Sequence, residues 1–297
     1  MHTMIATQIS SPMTKEQACA LVDAVMNREE LALSATAREE SEGGWVFEAI
    51  CDARPDLAAF AKLAGDVLDG EVSFVAETMD AGIDWVSRAL DGLPSVLAGG
   101  FFIHGSHIDA PAPHGAIPVL IEAAQAFGTG HHETTAGCLE AINLILKRRK
   151  PRAALDVGTG TGVLAIALGK RLRQTIVATD IDPVAVRTAR ENARINGVGP
   201  DIIAVTASGL DHPAVGKRRP YDLIVANILA GPLTQLAPSI GEAAENGATI
   251  ILSGILNRQA ARVVSAYARQ GMALNRRLER GDWSTLILEK RGTRQRR

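Results

Sequence analysis

Leu155-Asp156-Val157-Gly158-Thr159-Gly160-Thr161-Gly162 decides the fold of this 297-residue chain. An apolar run over 153–157 passes into glycine at every second position, and then into a second apolar run from Val163. That pattern reads as a buried strand, a tight turn and a helix over 163–173. Glycines in such a turn let a ligand approach the backbone, and the helix start beyond them offers unpaired N–H groups. The dinucleotide fingerprint G-x-G-x-x-G needs its last glycine at 163, where this chain has Val163, which argues against a nicotinamide-dependent dehydrogenase. Asp156 instead stands two positions ahead of Gly158, giving D-x-G-x-G-x-G.

Further along, Ala178-Thr179-Asp180-Ile181-Asp182-Pro183 closes the next predicted strand, with Asp180 standing 22 positions after Gly158. A carboxylate at that point can accept hydrogen bonds from both hydroxyls of a ribose. Asp182 takes the plainer task of helix N-cap, with Pro183 at the first helical position. The third signal is Ala226-Asn227-Ile228-Leu229-Ala230-Gly231-Pro232-Leu233. Asn227 ends an apolar strand, and ligands of such sheets bind at the carboxyl ends of strands. Its side chain either caps the following helix or accepts a hydrogen bond from an amine and so aims the nitrogen lone pair. No aromatic wall follows it, which leaves an open acceptor pocket. Toward the N-terminus, Ala126-Phe127-Gly128-Thr129-Gly130-His131-His132-Glu133-Thr134-Thr135 precedes a helix predicted over 135–147. His131, His132 and Glu133 are neighbours on one predicted loop with no further ligand set, so no metal site is expected there, nor at His104 and His107.

Strands are predicted at 153–157, 175–179, 202–206, 221–226 and 249–253, with helices at 163–173, 183–196, 230–244 and 257–270. This alternation predicts a parallel, doubly wound sheet. Runs at 273–278 and 284–289 around Gly281 predict a terminal antiparallel hairpin. The front of the chain reads as strand 4–9, helix 14–30 with Thr14 and Gln17 as capping box, strands 31–37 and 44–51, helix 55–68 and strand 71–78. That order, β-α-β-β-α-β, is the ferredoxin-like split βαβ arrangement. Between the two, Pro94, Pro111, Pro113 and Pro118 punctuate a stretch that reads as a linker, with a short helix at 84–90 and strands at 100–104 and 116–121. The expected division is a domain over 1–80, a linker over 81–125 and a second domain over 126–297.

Composition narrows the classes. Hydrophobic residues make up 46% and charged residues 22%, which excludes a disordered or collagen-like chain. No apolar run reaches the roughly 18 residues of a membrane span, and the first residues lack the pattern of a secretory signal. Cys19, Cys51 and Cys138 form no C-x-x-C pair, which excludes a zinc ribbon and fits a reduced, cytoplasmic setting. The net charge of −2 hides an asymmetry: residues 1–80 hold 15 acidic against 5 basic side chains, a net of −10, so the remainder carries +8. An acidic front does not suit a nucleic-acid arm. It is an ordinary solvated surface or, through steering, a surface for a basic protein.

In their order along the chain, these motifs resemble the methyltransferases of large-subunit ribosomal protein L11 (PrmA type), within the class I S-adenosylmethionine-dependent superfamily. D-x-G-x-G-x-G from Asp156 to Gly162 is similar to the superfamily's motif I. Phe127-Gly128-Thr129-Gly130, His132 and Thr134-Thr135 precede it, and the distinctive Asn-Ile-Leu-Ala-Gly-Pro-Leu from Asn227 follows. The resemblance is good across residues 120–260. It implies a Rossmann-like seven-stranded domain that binds S-adenosylmethionine, preceded by a small α+β ferredoxin-like domain that recognises the protein substrate. It implies transfer of methyl groups to the N-terminal α-amine and lysine ε-amines of ribosomal protein L11, free or on the large subunit, in the cytoplasm, without a membrane and without direct reading of nucleic acid. By position it assigns Thr135, Gly158, Asp180 and Asn227 to the donor site, joined by Asp156 and Gly160 of the glycine loop, with Asn227 as the catalytic residue. Two departures stand out. The family usually shows Thr-His-Pro where this chain has His131-His132-Glu133, and Asp84-Trp85 matches a linker signature whose second tryptophan is absent. A lysine methyltransferase for another protein, or a non-catalytic S-adenosylmethionine-binding assembly protein, are the alternatives.

Overall fold

The computed structural model describes residues 7–26, 28, 31–32, 34–39, 44–51, 55–68, 70, 72–78, 95–106, 108, 111–122 and 131–292. The chain divides into two compact units, Met1–Trp85 and Val86–Arg297.

The first unit runs β1 (Thr7–Met13), α1 (Lys15–Met26), β2 (Ser34–Glu39), β3 (Trp45–Cys51), α2 (Leu57–Leu68) and β4 (Val75–Thr78). Its strands lie in the order β2-β3-β1-β4, with every neighbouring pair antiparallel, which is the ferredoxin-like sheet. Thr14 and Gln17 form the reciprocal box that starts α1: the Thr14 N–H donates to Gln17 Oε1 at 3.0 Å, and the Gln17 N–H donates to Thr14 Oγ1 at 3.3 Å. Ile9, Leu21, Phe47 and Phe60 fill the core, with Phe74 packed on Phe47 and Phe60. The first strand differs from its expected span of 4–9. It runs on through Ser10, Ser11 and Pro12, a polar stretch that reads as a turn in sequence. Pairing of β1 with β4 stops at Ser10, so Pro12 lies where one edge of the strand is open, a place that tolerates the missing N–H.

The second unit begins with a small sheet of β5 (Val96–Ala98), β6 (Phe101–His104) and β7 (Ile117–Leu120), in that order. This stretch reads as linker in sequence because of its prolines. In the structure Phe101, Ile103, Val119 and Ile121 are buried in the core of the second unit, and Pro118 sits on the edge strand β7. The helix expected at 84–90 lies outside the described residues.

The remaining elements are α3 (His131–Leu146), β8 (Ala154–Val157), α4 (Val163–Leu172), β9 (Ile176–Asp180), α5 (Pro183–Ile195), β10 (Ile202–Thr206), α6 (Pro213–Gly216), β11 (Tyr221–Asn227), α7 (Ala230–Ala243), β12 (Ala244–Leu256), α8 (Ala260–Ala268), β13 (Met272–Arg280) and β14 (Trp283–Lys290). Seven strands form one sheet in the order β10-β9-β8-β11-β12-β14-β13. The first five are parallel and β14 runs antiparallel to both its neighbours, closing the expected hairpin.

Period-2 alternation sorts the strand side chains between two cores. Ala154, Ile176, Ala178, Leu223, Val225, Ile251 and Ile287 face the layer of α3, α4 and α5. Leu155, Val157, Val177, Ile224, Ala226, Ile250, Leu252, Leu286 and Leu288 face the layer of α7 and α8. Because β8 is followed by β9 on one side while β11 pairs on the other, the sheet has its switch point between β8 and β11, and a crevice opens there at the carboxyl ends of the strands. No helix among the described residues is long and apolar enough to cross a membrane.

Candidate active site

Three loops meet at the switch point. The first follows β8. Gly158, Gly160 and Gly162 all have positive φ, of 69°, 53° and 85°, which side chains rarely adopt. The Gly158 and Thr159 N–H groups donate to the Thr179 carbonyl at 2.8 and 2.9 Å, fixing the loop to the end of β9. A Cβ on Gly158 would stand 2.3 Å from Cγ2 of Ile228, whereas one on Gly160 would meet nothing within 4 Å. Gly160 is therefore open on the ligand side and Gly158 is closed by a side chain from the third loop.

Asp156 lies beneath this loop, 1% exposed. Its Oδ2 accepts from Thr159 Oγ1 at 2.7 Å and from the Ala165 N–H at 3.1 Å, tying the loop to the first turn of α4. Its Oδ1 is buried and has no partner among the described residues. Burial pushes its pKa up to about 7, against the lowering effect of the bonds from Thr159 and Ala165. Asp180, at the end of β9, holds the loop from the other side: Oδ2 accepts from the Gly160 N–H at 2.8 Å and Oδ1 from the Asp182 N–H at 3.0 Å. Each carboxylate oxygen keeps a second lone pair for a ligand hydroxyl. Asp182 caps α5 as expected, accepting from the Val184 N–H at 2.7 Å.

The third loop follows β11. Asn227 Nδ2 donates to Thr135 Oγ1 at 3.3 Å, and its buried Oδ1 has no partner among the described residues. Thr135 is not at the start of a helix preceded by a long loop, as expected from sequence. It is the fifth residue of α3, whose first turn comprises His131, His132 and Glu133. Glutamate in that turn suits the positive end of the helix dipole. The expected loop over 126–130 lies outside the described residues, as does His107. The start of α3 is fastened to the sheet by Ser253, whose Oγ donates to the Thr134 carbonyl at 3.1 Å and meets Thr285 Oγ1 at 2.9 Å. Ser253 lies level with Asn227 in the pairing of β11 with β12.

Asp156, Gly158, Gly160 and Asp180 thus form one cluster and Thr135 with Asn227 another, joined where Ile228 covers Gly158. Sequence reading missed four contributors. Ile181, 75% exposed beside Asp180, offers an apolar platform. Ile228 stands inside the quoted Asn227–Leu233 stretch but was given no role, and Ser253, at the end of the strand expected at 249–253, gave no signal of its own. Gly254 did give one, a lone glycine inside a strand pattern, which marks close backbone approach. A Cβ there would stand 2.4 Å from the Ile228 carbonyl oxygen, at a φ of 80°. Gly254→Ala is expected to strain the site by roughly 1–3 kcal/mol. Thermal unfolding should show a lowered midpoint, and turnover should fall with it as the Asn227–Ile228 backbone shifts.

Sheet order, switch-point crevice and glycine loop together define a Rossmann-like methyltransferase. The sequence profile described as "Ribosomal protein L11 methyltransferase (PrmA)" matches residues 7–291. A ribosomal protein L11 methyltransferase of Mesorhizobium japonicum is 52% identical over 207 residues, covering 70% of this chain and 71% of its own. One from Rhodopseudomonas palustris is 44% identical over 263 residues, 88% of each chain. The crystal structure of a ribosomal protein L11 methylase from Lactobacillus delbrueckii subsp. bulgaricus superposes with a TM-score of 0.56 at 28% identity, covering 65% of this chain and 94% of that one. This chain belongs to the ribosomal protein L11 methyltransferase (PrmA) family.

The crevice fits S-adenosylmethionine on this chain's own geometry. Asp180 has acceptor capacity for a ribose diol, the Gly160 backbone is open, and the Asp156 Oδ1, buried beneath the glycine loop, has no partner among the described residues.

Proposed function

We propose that this chain transfers methyl groups from S-adenosylmethionine to amines of large-subunit ribosomal protein L11, namely the N-terminal α-amine and lysine ε-amines. The observation that carries this reading is the buried Oδ1 of Asn227 at the end of β11, which has no partner among the described residues, with its Nδ2 turned away onto Thr135. An acceptor with no donor of its own costs free energy when buried, so the site is complete only when an N–H arrives. An incoming amine supplies it.

When bound, S-adenosylmethionine supplies a methyl group already activated by its sulfonium. Thr135, Asp156, Gly158, Gly160 and Asp180 would hold it, and Ile181 offers its apolar face to a purine. The chain's remaining task is to deliver a neutral amine. Lysine has a reference pKa of about 10.4 and an α-amine about 7.7–8.0, so lysine needs more desolvation before its lone pair is free. Asn227 Oδ1, as a neutral acceptor, takes an N–H of the amine without stabilising the ammonium as strongly as a carboxylate would, and thereby aims the lone pair. Nitrogen gains the methyl carbon, the carbon–sulfur bond breaks, and the amine's surplus proton passes to solvent.

The front domain, ferredoxin-like and carrying −10 over residues 1–80, recognises the acceptor protein. Ribosomal proteins are generally basic, so its field attracts them. The reaction belongs to the cytoplasm, where ribosomes are assembled.

Methyl-labelled S-adenosylmethionine, offered with ribosomal proteins from cells lacking this gene, tests the proposal. A single labelled band at L11, with mass gained on amines, is the expected result, and parallel reactions with assembled subunits show which form is used. Label on another protein would keep the methyltransferase and discard the substrate. Tight donor binding without label would favour a non-catalytic role.

A further inference from the structure

We infer that Asn192, outside the motifs, is a positioning residue that sets the shape of the glycine loop; this rests on the reading of that loop as the donor site. Helix α5 carries two asparagines one turn apart. Asn196 accepts from the Leu120 N–H at 3.0 Å and donates to the Leu120 carbonyl at 2.6 Å. Asn192 accepts from the Glu122 N–H at 3.0 Å. Four helical residues rise about 6 Å and two extended residues about 6.7 Å, so the two amides meet Leu120, the last residue of β7, and Glu122, two residues beyond it. They stand where a further strand would offer peptide groups, and so close an edge that would otherwise be open.

Asn192 does one thing that Asn196 does not. Its Nδ2 donates at 2.9 Å to the carbonyl of Thr161, inside the glycine loop. The peptide between Thr161 and Gly162 is flanked by glycines of positive φ and would rotate at little cost if left alone. It is held at both ends: the Gly162 N–H donates to the Thr159 carbonyl at 2.8 Å, and the Thr161 carbonyl accepts from Asn192. Asn192 is 1% exposed, so its amide bonds are shielded from bulk solvent. One buried amide therefore couples the backbone at Glu122 to the donor loop.

The paired variants Asn192→Ala and Asn196→Ala test this, because each removes a clamp on the segment at and just past the end of β7 and only the first releases the loop. Both are expected to lower the unfolding temperature by similar amounts. Asn192→Ala should raise the Kd for S-adenosylmethionine roughly tenfold, with kcat at saturating donor within about twofold of wild type, whereas Asn196→Ala should leave Kd within about twofold. Equal shifts in both variants, or none in Asn192→Ala, would overturn the inference while leaving the donor site standing. Failure of the wild-type protein to bind the donor would overturn the donor-site reading and the inference together. If Asn192→Ala does not fold, amide hydrogen exchange of the wild type decides: saturating donor should slow exchange at Glu122 and not at Leu120, and equal or absent protection overturns the coupling.

Discussion

Asn227→Ala is expected to lower turnover by about a hundredfold or more while leaving the Kd for S-adenosylmethionine within a factor of a few. The asymmetry follows from the two ends of the side chain. Nδ2 is committed to Thr135 Oγ1, and Oδ1 meets no donor among the described residues. Truncation removes the acceptor that would orient the amine, and misplacement by an ångström is enough to cost two orders of magnitude in rate. The glycine loop, proposed to contact the donor, is held by Asp156, Asp180 and Thr179, and none of those bonds passes through Asn227. Single-turnover kinetics with saturating donor, beside a calorimetric titration of the donor, separate the two effects. Unchanged turnover would remove Asn227 from the mechanism. A large loss of donor affinity would instead make it chiefly a donor ligand.

Asp180→Ala should do the converse, weakening donor binding by about a hundredfold, as expected for the loss of two hydrogen bonds to a charged acceptor. The substitution also releases the Gly160 N–H, now held at 2.8 Å, so the loop loses an anchor as well as a ligand. At saturating donor kcat should recover most of its wild-type value, because Asp180 does not touch the acceptor side. Asp180→Asn refines the test: it keeps the volume and one acceptor oxygen but offers a donor in place of the other, so an intermediate Kd is expected. A Kd equal to wild type in both variants would sink the ribose assignment.

The sheet strands were legible because they are buried on both faces and read as short, continuous apolar runs between glycine and proline signals. The glycine loop was legible because three alternate glycines at a strand end have few other uses. The far end of the front strand was not, since Ser10, Ser11 and Pro12 carry no strand signal and are held there by pairing with β3. The stretch 96–120 was read as linker for the same reason: its prolines mark turns locally, while Phe101, Ile103 and Val119 are drawn into a core whose other members lie far along the chain.

The sequence by itself determined the α/β class, the ferredoxin-like order of the front elements and the placing of Asp156, Asp180 and Asn227 at strand ends, because periodicity and local backbone chemistry act over a few residues. Tertiary structure alone decided which end of the Asn227 amide is free, that Ile228 and Gly254 shape its backbone, and that Asn192 reaches Thr161 across 31 positions. Those are contacts between side chains and peptides brought together only when the strands pair, and no spacing along the chain encodes them.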